Sequence, residues 1–441
     1  MFTPGIYRSY DIRGVVPDEL DATEAYHIGR AYAQFTGAKK VVVARDMRPS
    51  GDDLTPEVIR GLTEGGVDVL DMGLATSPMF YFGVHQLEAE GGLMVTASHN
   101  PGKYNGVKMT RAKAVPIGGA TGIMDIRDLV ERRQWPKSEI VGTVEKVDVR
   151  AQYMAAITKD VDASGLTIVA DTANGMAGLL AEEYFENVSS TTIPLFWDLD
   201  GTFPNHEADP LTEENRVAAE AAVKEHKADI GVMFDGDGDR VFFIDEKGNT
   251  IPGDLATALI GEEVLKEKPG STILCDLRAS RATREAIEEA GGKAILSQVG
   301  HSNIKAQMRA DNAVFAGEVS GHFYFTPWYA ESAFLALSYV IKLMKQEGKP
   351  LSELVAPLMR HAKTPEINFE VEDKESALAR IKDTYADADI LELDGITIEY
   401  KDWWANIRAS NTEPLLRLNM EANTPELLAE KRAEIEAILT S

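Results

Sequence analysis

The apolar positions of this chain form a pattern of strands and helices that repeats three times. Each unit opens with an apolar, β-rich run that closes on an aspartate, and these aspartates are Asp46, Asp171 and Asp276. A helical pattern and a second strand candidate follow, and the second candidates span 67–72, 191–197 and 293–298. A third strand candidate then leads into a polar loop that contains glycine. This alternation predicts α/β layers with mixed, largely parallel sheets, in which ligand sites form at the carboxyl ends of the strands.

The three polar loops carry the most concentrated chemistry of the chain. They read Thr-Ala-Ser-His-Asn-Pro over 96–101, Asp-Gly-Asp-Gly-Asp-Arg over 235–240 and Gly-Glu-Val-Ser-Gly-His over 317–322. Because each loop follows the third strand of its unit, we expect all three to face one cleft.

Polar connectors near residues 150, 250 and 363 interrupt the pattern and predict four domains. The first three are α/β domains over 1–150, 151–250 and 251–363, and each contains one polar loop. The last, over 364–441, is a smaller α+β domain without an equivalent loop. Its sequence predicts a strand at 367–371, a helix at 374–385, several short strands within 390–418 and a closing amphipathic helix at 425–439.

Composition narrows the possible partners. The 441 residues are 44% hydrophobic and 26% charged, which suits several packed cores and argues against disorder. A formal net charge of −26 argues against nucleic acid or anionic membrane as the main partner, since both need a basic surface. The sole cysteine, Cys275, lies in an apolar run and is predicted to be buried. With no evident secretion signal or membrane span, a cytoplasmic location is expected.

The first loop presents Ser98 on a turn that Pro101 and Gly102 enforce. A phosphorylated serine is a phosphoryl donor, and the transfer needs cations nearby. His99, and Lys108 ten residues after the serine, supply that charge or act as acid and base toward a substrate hydroxyl. The alternative is an ordinary Ser/Asn-Pro turn, and the Gly-x-Ser-x-Gly elbow of hydrolases is absent.

The second loop alternates Asp235, Asp237 and Asp239 with glycines, so that three carboxylates can converge on one hard cation. Mg²⁺ is favoured if the donor is a phosphate. An EF-hand is a competing interpretation, because Glu246 stands at its twelfth position. Arg240 at the sixth position, where an EF-hand needs glycine, and strand-like flanks oppose it. A simple Asp/Gly hairpin turn is the remaining alternative.

Two further loops offer groups for a sugar phosphate. Glu318 and Ser320, between glycines in the third loop, suit the vicinal hydroxyls of a sugar, although a structural turn is the simpler interpretation of this loop alone. In the last domain two arginines, two hydroxyls and an amide form a pattern typical of phosphate binding, with a polar loop at a strand end as the alternative. These residues are Arg408, Ser410, Asn411, Thr412 and Arg417.

In this order, the loops resemble those of the α-D-phosphohexomutase family, and most closely its phosphomannomutase/phosphoglucomutase branch. The resemblance spans the whole chain, and the ordered set of motifs is highly specific. The motifs are Tyr10-Asp-Ile-Arg13-Gly, Arg45-Asp-Met-Arg48-Pro-Ser, Thr96-Ala-Ser-His-Asn-Pro, Asp235-Gly-Asp-Gly-Asp-Arg, Val299-Gly-His301, Gly317-Glu-Val-Ser-Gly-His and Arg408-Ala-Ser-Asn-Thr-Glu-Pro.

The resemblance implies four domains around a central cleft, with the fourth closing over the substrate. It implies that Ser98 is the phosphoserine, and that one Mg²⁺ ion is held by a phosphoserine oxygen and the three aspartates of the second loop. The implied catalytic group adds His99, Lys108 and Arg13 to the serine.

The resemblance also implies a set of substrate-binding residues. Glu318 and Ser320 are expected to bind O3 and O4 of the sugar. Other family positions in the cleft are matched by Tyr10, Arg240, Arg278, His301 and His322, and the phosphate site is matched by Arg408, Ser410, Asn411, Thr412 and Arg417. Arg278 stands where some family members have lysine.

The implied reaction is a reversible transfer of phosphate between C1 and C6 of a hexose phosphate, with mannose, glucose or both as the sugar. Phosphoserine donates to the free hydroxyl, a hexose 1,6-bisphosphate forms, and the other phosphate returns to Ser98. Since the bisphosphate must reverse its orientation, the connector at 361–365 is the predicted hinge of the fourth domain.

Other functions remain open at this point. They are a Mg²⁺-dependent phosphohydrolase with Asp235 as nucleophile, a phosphoglucosamine mutase and, least favoured, a non-catalytic sugar-phosphate-binding protein. A hexose phosphate is the expected partner, and a monomer or small homo-oligomer is the expected state.

Overall fold

A computed structural model describes residues 2–371, 373–409 and 415–440 of the chain. Within these ranges four β-sheets follow one another along the sequence, and we number the domains by their sheets. No helix of the described residues is long and apolar enough to cross a membrane.

The first domain is built on a mixed sheet with helices packed on it. Its strands are β1 Ile12–Val15, β2 Lys40–Arg45, β3 Asp68–Leu74, β4 Gly91–Val95, β5 Tyr104–Arg111, β6 Val115–Pro116 and β7 Val144–Lys146. Its helices are α1 Ala22–Thr36, α2 Gly51–Glu64, α3 Ser77–Gln86 and α4 Ile123–Arg132. Helix α1 shows how the sequence sets these bounds. The Asp21 side chain accepts the Glu24 N–H at its start, and Gly37 ends it in a left-handed conformation.

The second and third domains repeat this plan. The second contains α5 Arg150–Ile157, β8 Thr167–Asp171, α6 Gly178–Asn187, β9 Thr191–Leu195, α7 Glu213–His226, β10 Ile230–Phe234 and β11 Val241–Ile244. The third contains α8 Gly253–Glu267, β12 Thr272–Asp276, α9 Arg281–Glu289, β13 Lys293–Ser297, α10 His301–Ala310, β14 Phe315–Gly317, β15 Phe323–Phe325, β16 Ala330–Glu331, α11 Ala333–Glu347 and α12 Leu351–Val355.

The predicted internal repeat is visible in the strand order of these three sheets. Each contains three parallel strands and one antiparallel neighbour, in the orders β3-β2-β4-β5, β9-β8-β10-β11 and β13-β12-β14-β15. In each sheet the polar loop connects the third parallel strand to the antiparallel one. The three loops therefore leave their sheets at equivalent carboxyl ends, as the sequence pattern predicts.

The fourth domain has a largely antiparallel sheet. It contains β17 Ala362–Lys363, β18 Ile367–Glu370, α13 Lys374–Thr384, β19 Asp389–Leu391, β20 Ile396–Glu399, β21 Trp403–Ala409, β22 Leu415–Ala422 and α14 Pro425–Leu439. These elements confirm the strand, helix and closing helix predicted there. The segment 361–365, predicted as the hinge, is not simply a connector. Its residues 362–363 form β17, which pairs with β22 and belongs to the fourth sheet.

Two kinds of contact hold the domains together. The largest apolar cluster is continuous across the first three domains and includes Phe80, Phe234 and Phe315. The fourth domain has a separate apolar core. It meets the third through polar contacts, such as the ion pair of Lys363 with Asp254. Removing the fourth domain from the others therefore breaks polar contacts rather than a shared apolar core.

Candidate active site

The four domains surround one cleft with a volume of about 810 Å³. Side chains that the sequence singled out line it, namely Tyr10, Arg13, Ser98, His99, Lys108, Asp239, Arg240, Arg278, His301, Glu318, Ser320, His322, Arg408 and Arg417. Asp235 and Asp237 lie buried directly behind Asp239 in the same loop. Three further predicted residues, Ser410, Asn411 and Thr412, lie outside the described residues.

Ser98 lies at the base of this cleft, three residues after the end of β4. Its backbone adopts a left-handed conformation with φ of 52°, which is uncommon for a residue with a side chain. Its Oγ lies 3.3 Å from Asp235 Oδ2 and 3.3 Å from His99 Nδ1. The turn thus places the serine hydroxyl between a carboxylate of the second loop and an imidazole of its own loop.

The three aspartates of the second loop form a buried oxygen cluster. One carboxylate oxygen from each lies within 4.8 Å of the other two. Asp235 Oδ1 accepts the backbone N–H groups of Asp239 and Arg240, which closes the loop on itself. Ser77, the first residue of α3, donates its hydroxyl to Asp237 Oδ2 at 2.5 Å. Burial, together with Asp239 and Asp237, raises the pKa of Asp235 well above its usual value, as expected of clustered carboxylates that a cation would stabilise.

Strands flank this loop on both sides, which excludes the EF-hand interpretation. Glu246 takes no part in the cluster, because its carboxylate accepts the hydroxyl and backbone N–H of Ser352. Asp237 Oδ1 is buried and has no hydrogen-bond partner in the described part of the chain. An all-oxygen donor set with an unsatisfied buried oxygen fits a hard divalent cation.

Lys108 bridges two of these carboxylates. Its Nζ lies 2.6 Å from Asp237 Oδ2 and 2.6 Å from Asp239 Oδ2. Burial alone would lower the pKa of Lys108, but the two carboxylates raise it well above its usual value. The side chain is therefore a fixed positive charge at the edge of the oxygen cluster.

His99 and Arg13 complete the surroundings of the serine. Burial, followed by the positive charges of Arg240 and Arg13, lowers the pKa of His99 well below its usual value, so the imidazole is neutral. Arg13 pairs with Asp11 at 2.8 Å and donates to Asn100 Oδ1 in the serine loop. The site thus offers a neutral imidazole beside Ser98 Oγ and a guanidinium in the adjacent wall of the cleft.

The third loop presents a carboxylate and an imidazole to the cleft. His322 Nε2 lies 3.2 Å from Asp239 Oδ1, and its Nδ1 lies 2.8 Å from Ser320 Oγ. Burial would lower the pKa of His322, but Asp239 and Glu318 together raise it to about 9. Burial alone would raise the pKa of Glu318, but His322, Tyr324 and Arg278 together lower it to about 2. Glu318 also accepts the Gly300 N–H, so its carboxylate is charged and fixed in direction.

Where the third and fourth domains meet in the cleft, cationic side chains of both domains gather around one carboxylate. Glu366 accepts from Arg408 at 3.0 Å, from Arg417 at 3.3 Å and from Asn419 at 3.2 Å. Arg278 of the third domain lies 3.9 Å from the same carboxylate. Guanidinium groups gathered in this way form a cationic cluster, and such groups also suit the oxygens of a phosphate.

Some residues of this site were not predicted from the sequence. Glu366 and Ser77 belong to no motif, and only the folded chain brings them to the arginines and to Asp237. The sequence does contain one unused signal, an Asp-x-Arg repeat at 46–48 and 276–278. The motifs place Arg278 in the cleft and predict no separate role for Arg48.

All four domains of the chain match domains of known proteins. The chain matches the phosphoglucomutase/phosphomannomutase alpha/beta/alpha domains I, II and III at residues 5–137, 151–248 and 252–361, and the C-terminal domain of the same proteins at 366–438. A phosphomannomutase of Escherichia coli is 38% identical, over 98% of both chains. A phosphomannomutase/phosphoglucomutase of Pseudomonas aeruginosa is 36% identical, over 96% of this chain and 93% of that one.

A solved structure supports the same assignment. A phosphoglucomutase/phosphomannomutase family protein from Burkholderia thailandensis superposes with a TM-score of 0.92 and 33% identity, over 100% of this chain and 98% of that one. The four-domain fold and the cleft define a phosphosugar mutase. The chain belongs to the phosphoglucomutase/phosphomannomutase family, as its motifs predict.

Proposed function

We propose that this phosphohexomutase moves phosphate between C1 and C6 of mannose and glucose phosphates, with Ser98 as the residue that carries the transferred phosphate. The observation that carries this proposal is the position of Ser98 Oγ, 3.3 Å from Asp235 at the base of a cleft shared by four domains. Arginines from all four domains, Arg13, Arg240, Arg278 and Arg408, line that cleft and suit a substrate that carries phosphate.

The reaction is a pair of opposite transfers. The free hydroxyl of the substrate attacks the phosphorus on Ser98, the bond from phosphorus to Oγ breaks, and the hydroxyl proton is released to a base. The hexose 1,6-bisphosphate then presents its other phosphate to Ser98, and the reverse transfer restores the phosphoserine. Atoms balance over the cycle, because the enzyme gives one phosphate and receives another.

Two residues beside the serine suit the proton and charge requirements of these transfers. The neutral imidazole of His99 lies within reach of Ser98 Oγ, and in our proposal it exchanges the proton of that hydroxyl. The Lys108 ammonium supplies positive charge where the phosphate is transferred. Arg13 steadies the serine loop through Asn100.

We propose Mg²⁺ as the cation of the oxygen cluster, held by Asp235, Asp237 and Asp239 with an oxygen of the phosphoserine. When bound, the ion reduces the charge of the phosphate and favours its transfer. Support comes from the donor set, which consists of oxygens alone and includes the unsatisfied Asp237 Oδ1.

We propose that substrate recognition divides between two groups of residues. Glu318, Ser320 and His322 are fixed in direction and suit hydroxyls of the sugar. The non-reacting phosphate is proposed to bind Arg408 and Arg417, with Ser410, Asn411 and Thr412, which lie outside the described residues. Further substrate contacts are proposed for Tyr10, Arg240, Arg278 and His301, which line the same cleft. We also propose domain boundaries near residues 150, 250 and 363, close to the gaps between the matched family segments.

The geometry does not favour a phosphohydrolase with Asp235 as nucleophile. Both oxygens of this carboxylate are engaged, Oδ1 by two backbone N–H groups and Oδ2 by the Ser98 hydroxyl. A nucleophilic carboxylate needs a free oxygen directed at the phosphorus, which this arrangement does not offer.

Side-by-side assays with mannose 1-phosphate, glucose 1-phosphate and glucosamine 1-phosphate test the proposal, with glucose 1,6-bisphosphate as activator. We expect turnover of the first two, acid-stable phosphate on Ser98, and a loss of at least about a hundredfold in Ser98→Ala. Ser164→Ala, at an exposed serine of the second domain, is the matched control and should keep full activity. Acyl phosphate labile to hydroxylamine, or an active Ser98→Ala enzyme, would refute the assignment of Ser98.

A further inference from the structure

Arg48 is a buried arginine whose five N–H donors all have acceptors in or beside the serine loop. Its side chain has no exposed surface. Nη2 donates to Ser98 O at 2.8 Å and to Asn100 O at 2.5 Å. Nη1 donates to Pro101 O at 2.9 Å and to Tyr104 O at 2.9 Å. Nε completes the set with Asp46 Oδ2 at 3.1 Å.

We propose that Arg48 is a positioning residue, which holds the loop from Ser98 to Tyr104 in the one conformation that presents the serine for phosphoryl transfer. The inference rests on the proposed role of Ser98. Arg48 touches neither the serine hydroxyl nor any group assigned to the substrate, so it acts only through the backbone.

Asp46 extends the same restraint to the other side of the serine. Its Oδ2 accepts the Thr96 hydroxyl at 2.7 Å, and Thr96 Oγ1 accepts the Ser98 N–H at 3.0 Å. The N–H and the carbonyl of Ser98 are therefore both tied to the Asp46–Arg48 pair. This matters because a left-handed serine costs free energy that the surrounding contacts must offset.

Comparison of the three repeated domains shows that the Arg48 side chain takes a different direction from its counterpart in the third domain, Arg278. In each of the first three domains the aspartate that ends the first parallel strand accepts the N–H two residues on, from Arg48, Ala173 and Arg278 respectively. Arg278 also pairs with its aspartate, but it remains at the cleft surface and approaches Glu366. Arg48 instead turns into the loop. The same local sequence thus supplies an anion-binding arginine in one domain and a backbone restraint in the other.

Two residues of the second domain pack against Arg48. Phe203 lies with its ring centroid 5.3 Å from the Arg48 guanidinium carbon. A Cβ added at Gly201 would meet Arg48 Cα at 2.6 Å, so only glycine permits this close approach. Lysine cannot replace the arginine here, because one ammonium with three donors cannot span four carbonyls that a planar guanidinium reaches from two nitrogens.

The test compares Arg48→Lys with wild-type enzyme. A displacement of the serine by about 1 Å costs up to roughly a hundredfold in rate. We therefore expect the rate of transfer from phosphorylated Ser98 to glucose 1-phosphate to fall by roughly ten- to a hundredfold, measured in a single turnover. The KM should stay within about threefold, because the groups that bind substrate are intact.

Arg30→Lys is the matched control, since Arg30 is also a buried arginine of the first domain and donates to a backbone carbonyl, Pro136 O, away from the serine. It should lose stability but keep the transfer rate. Should Arg48→Lys fail to fold, Thr96→Val, which removes the link from Asp46 to the Ser98 N–H, carries the test with the same expected fall.

The experiment distinguishes failure of the proposed function from failure of the role proposed for Arg48. Absence of phosphate on Ser98 of the wild-type enzyme would remove the proposed function and this inference with it. Phosphate on Ser98 with wild-type transfer rates in the folded variants would overturn the role of Arg48 alone. Equal rate losses in Arg30→Lys would reduce Arg48 to a purely structural residue and also overturn the inference.

Discussion

The Lys108 ammonium and the Asp239 carboxylate form an almost fully buried ion pair, with Nζ 2.6 Å from Oδ2. Asp237 Oδ2 lies at the same distance from Nζ, so one lysine offsets two charges of the oxygen cluster. A divalent cation in the cluster would share these carboxylates with Lys108. Lysine and metal would therefore be energetically coupled through these carboxylates, without the lysine being a ligand.

This coupling predicts a metal-dependent stability defect in Lys108→Met. Removing one partner of a buried ion pair costs about 3–5 kcal/mol, because the remaining charge stays buried. We expect the metal-free variant to unfold at a clearly lower temperature than wild type, and Mg²⁺ to recover most of the difference. Lys305→Met is the control, since Lys305 pairs with Glu331 at 2.6 Å, outside the cluster, and its defect should not respond to Mg²⁺. Equal responses of both variants would contradict the coupling.

Metal affinity should depend on the aspartates and not on Glu246. Asp237→Asn replaces a charged ligand with a neutral amide, so the Kd for Mg²⁺ should rise by at least about tenfold, measured by calorimetry. Turnover should fall with it. Glu246→Gln changes the carboxylate that binds Ser352 and should leave the Kd unchanged. Wild-type turnover in excess EDTA would argue against a required metal.

Arg408→Ala and Glu318→Ala should affect different steps of recognition. Loss of a guanidinium at a bound phosphate should raise the KM for hexose phosphates by at least about tenfold, whichever sugar is used. Loss of the Glu318 carboxylate should change the ratio of kcat/KM between mannose and glucose substrates. Arg432→Ala is the control for the first variant, because Arg432 lies on the outer face of α14 and pairs with Glu436. An unchanged KM in Arg408→Ala would place the phosphate elsewhere.

The pair of His206 and Asp171 predicts a pH dependence of stability. His206 Nε2 lies 3.1 Å from Asp171 Oδ2, and Asp171 raises the pKa of His206 although burial alone would lower it. A raised pKa in the folded state means that the contribution is complete below about pH 6.5 and is lost as the pH rises through the folded-state value. His206→Gln should therefore lower the free energy of unfolding most at low pH, and the difference from wild type should shrink as the pH rises. A stability difference that stays constant as the pH rises would contradict this assignment.

Much of the fold was predictable because one pattern specifies it three times. The aspartates at 46, 171 and 276 close the first parallel strands, and each side chain caps the turn that follows. The fourth domain was also predictable, since strands and helices there keep clear periodicities. Local sequence was enough wherever a structural role depended on neighbours along the chain.

The site was predictable only in part, for a reason that Arg48 and Arg278 make plain. Both follow an aspartate by two residues, yet one turns into the serine loop and the other lies at the cleft. The direction of each side chain depends on which loop lies beside it in the folded sheet. Glu366 shows the same limit, because its arginine partners come from two domains.

The number of sites leads to the last prediction. In the proposed mechanism Ser98 is the single phosphate donor and the arginines around Glu366 are a single phosphate-binding group, so C1 and C6 of the sugar must both reach Ser98. The bisphosphate must reverse its orientation, which requires the fourth domain to release the phosphate and close again. The structure is suited to this motion, because the fourth domain has its own core and meets the third through polar contacts such as Arg284 with Glu399 at 2.8 Å. Since β17 belongs to the fourth sheet, we place the hinge just before Ala362.

A single turnover of enzyme labelled in the Ser98 phosphate, mixed with unlabelled glucose 1-phosphate, tests the reversal directly. The labelled phosphate moves to O6 in the first transfer and stays there when the unlabelled phosphate at O1 returns to the serine. Label should therefore appear in glucose 6-phosphate, and the enzyme should end the turnover with unlabelled phosphate on Ser98. If the phosphate instead moved within one substrate molecule, the label would remain on the protein while glucose 6-phosphate formed without it. That second result would rule out both the bisphosphate intermediate and its reversal in the cleft.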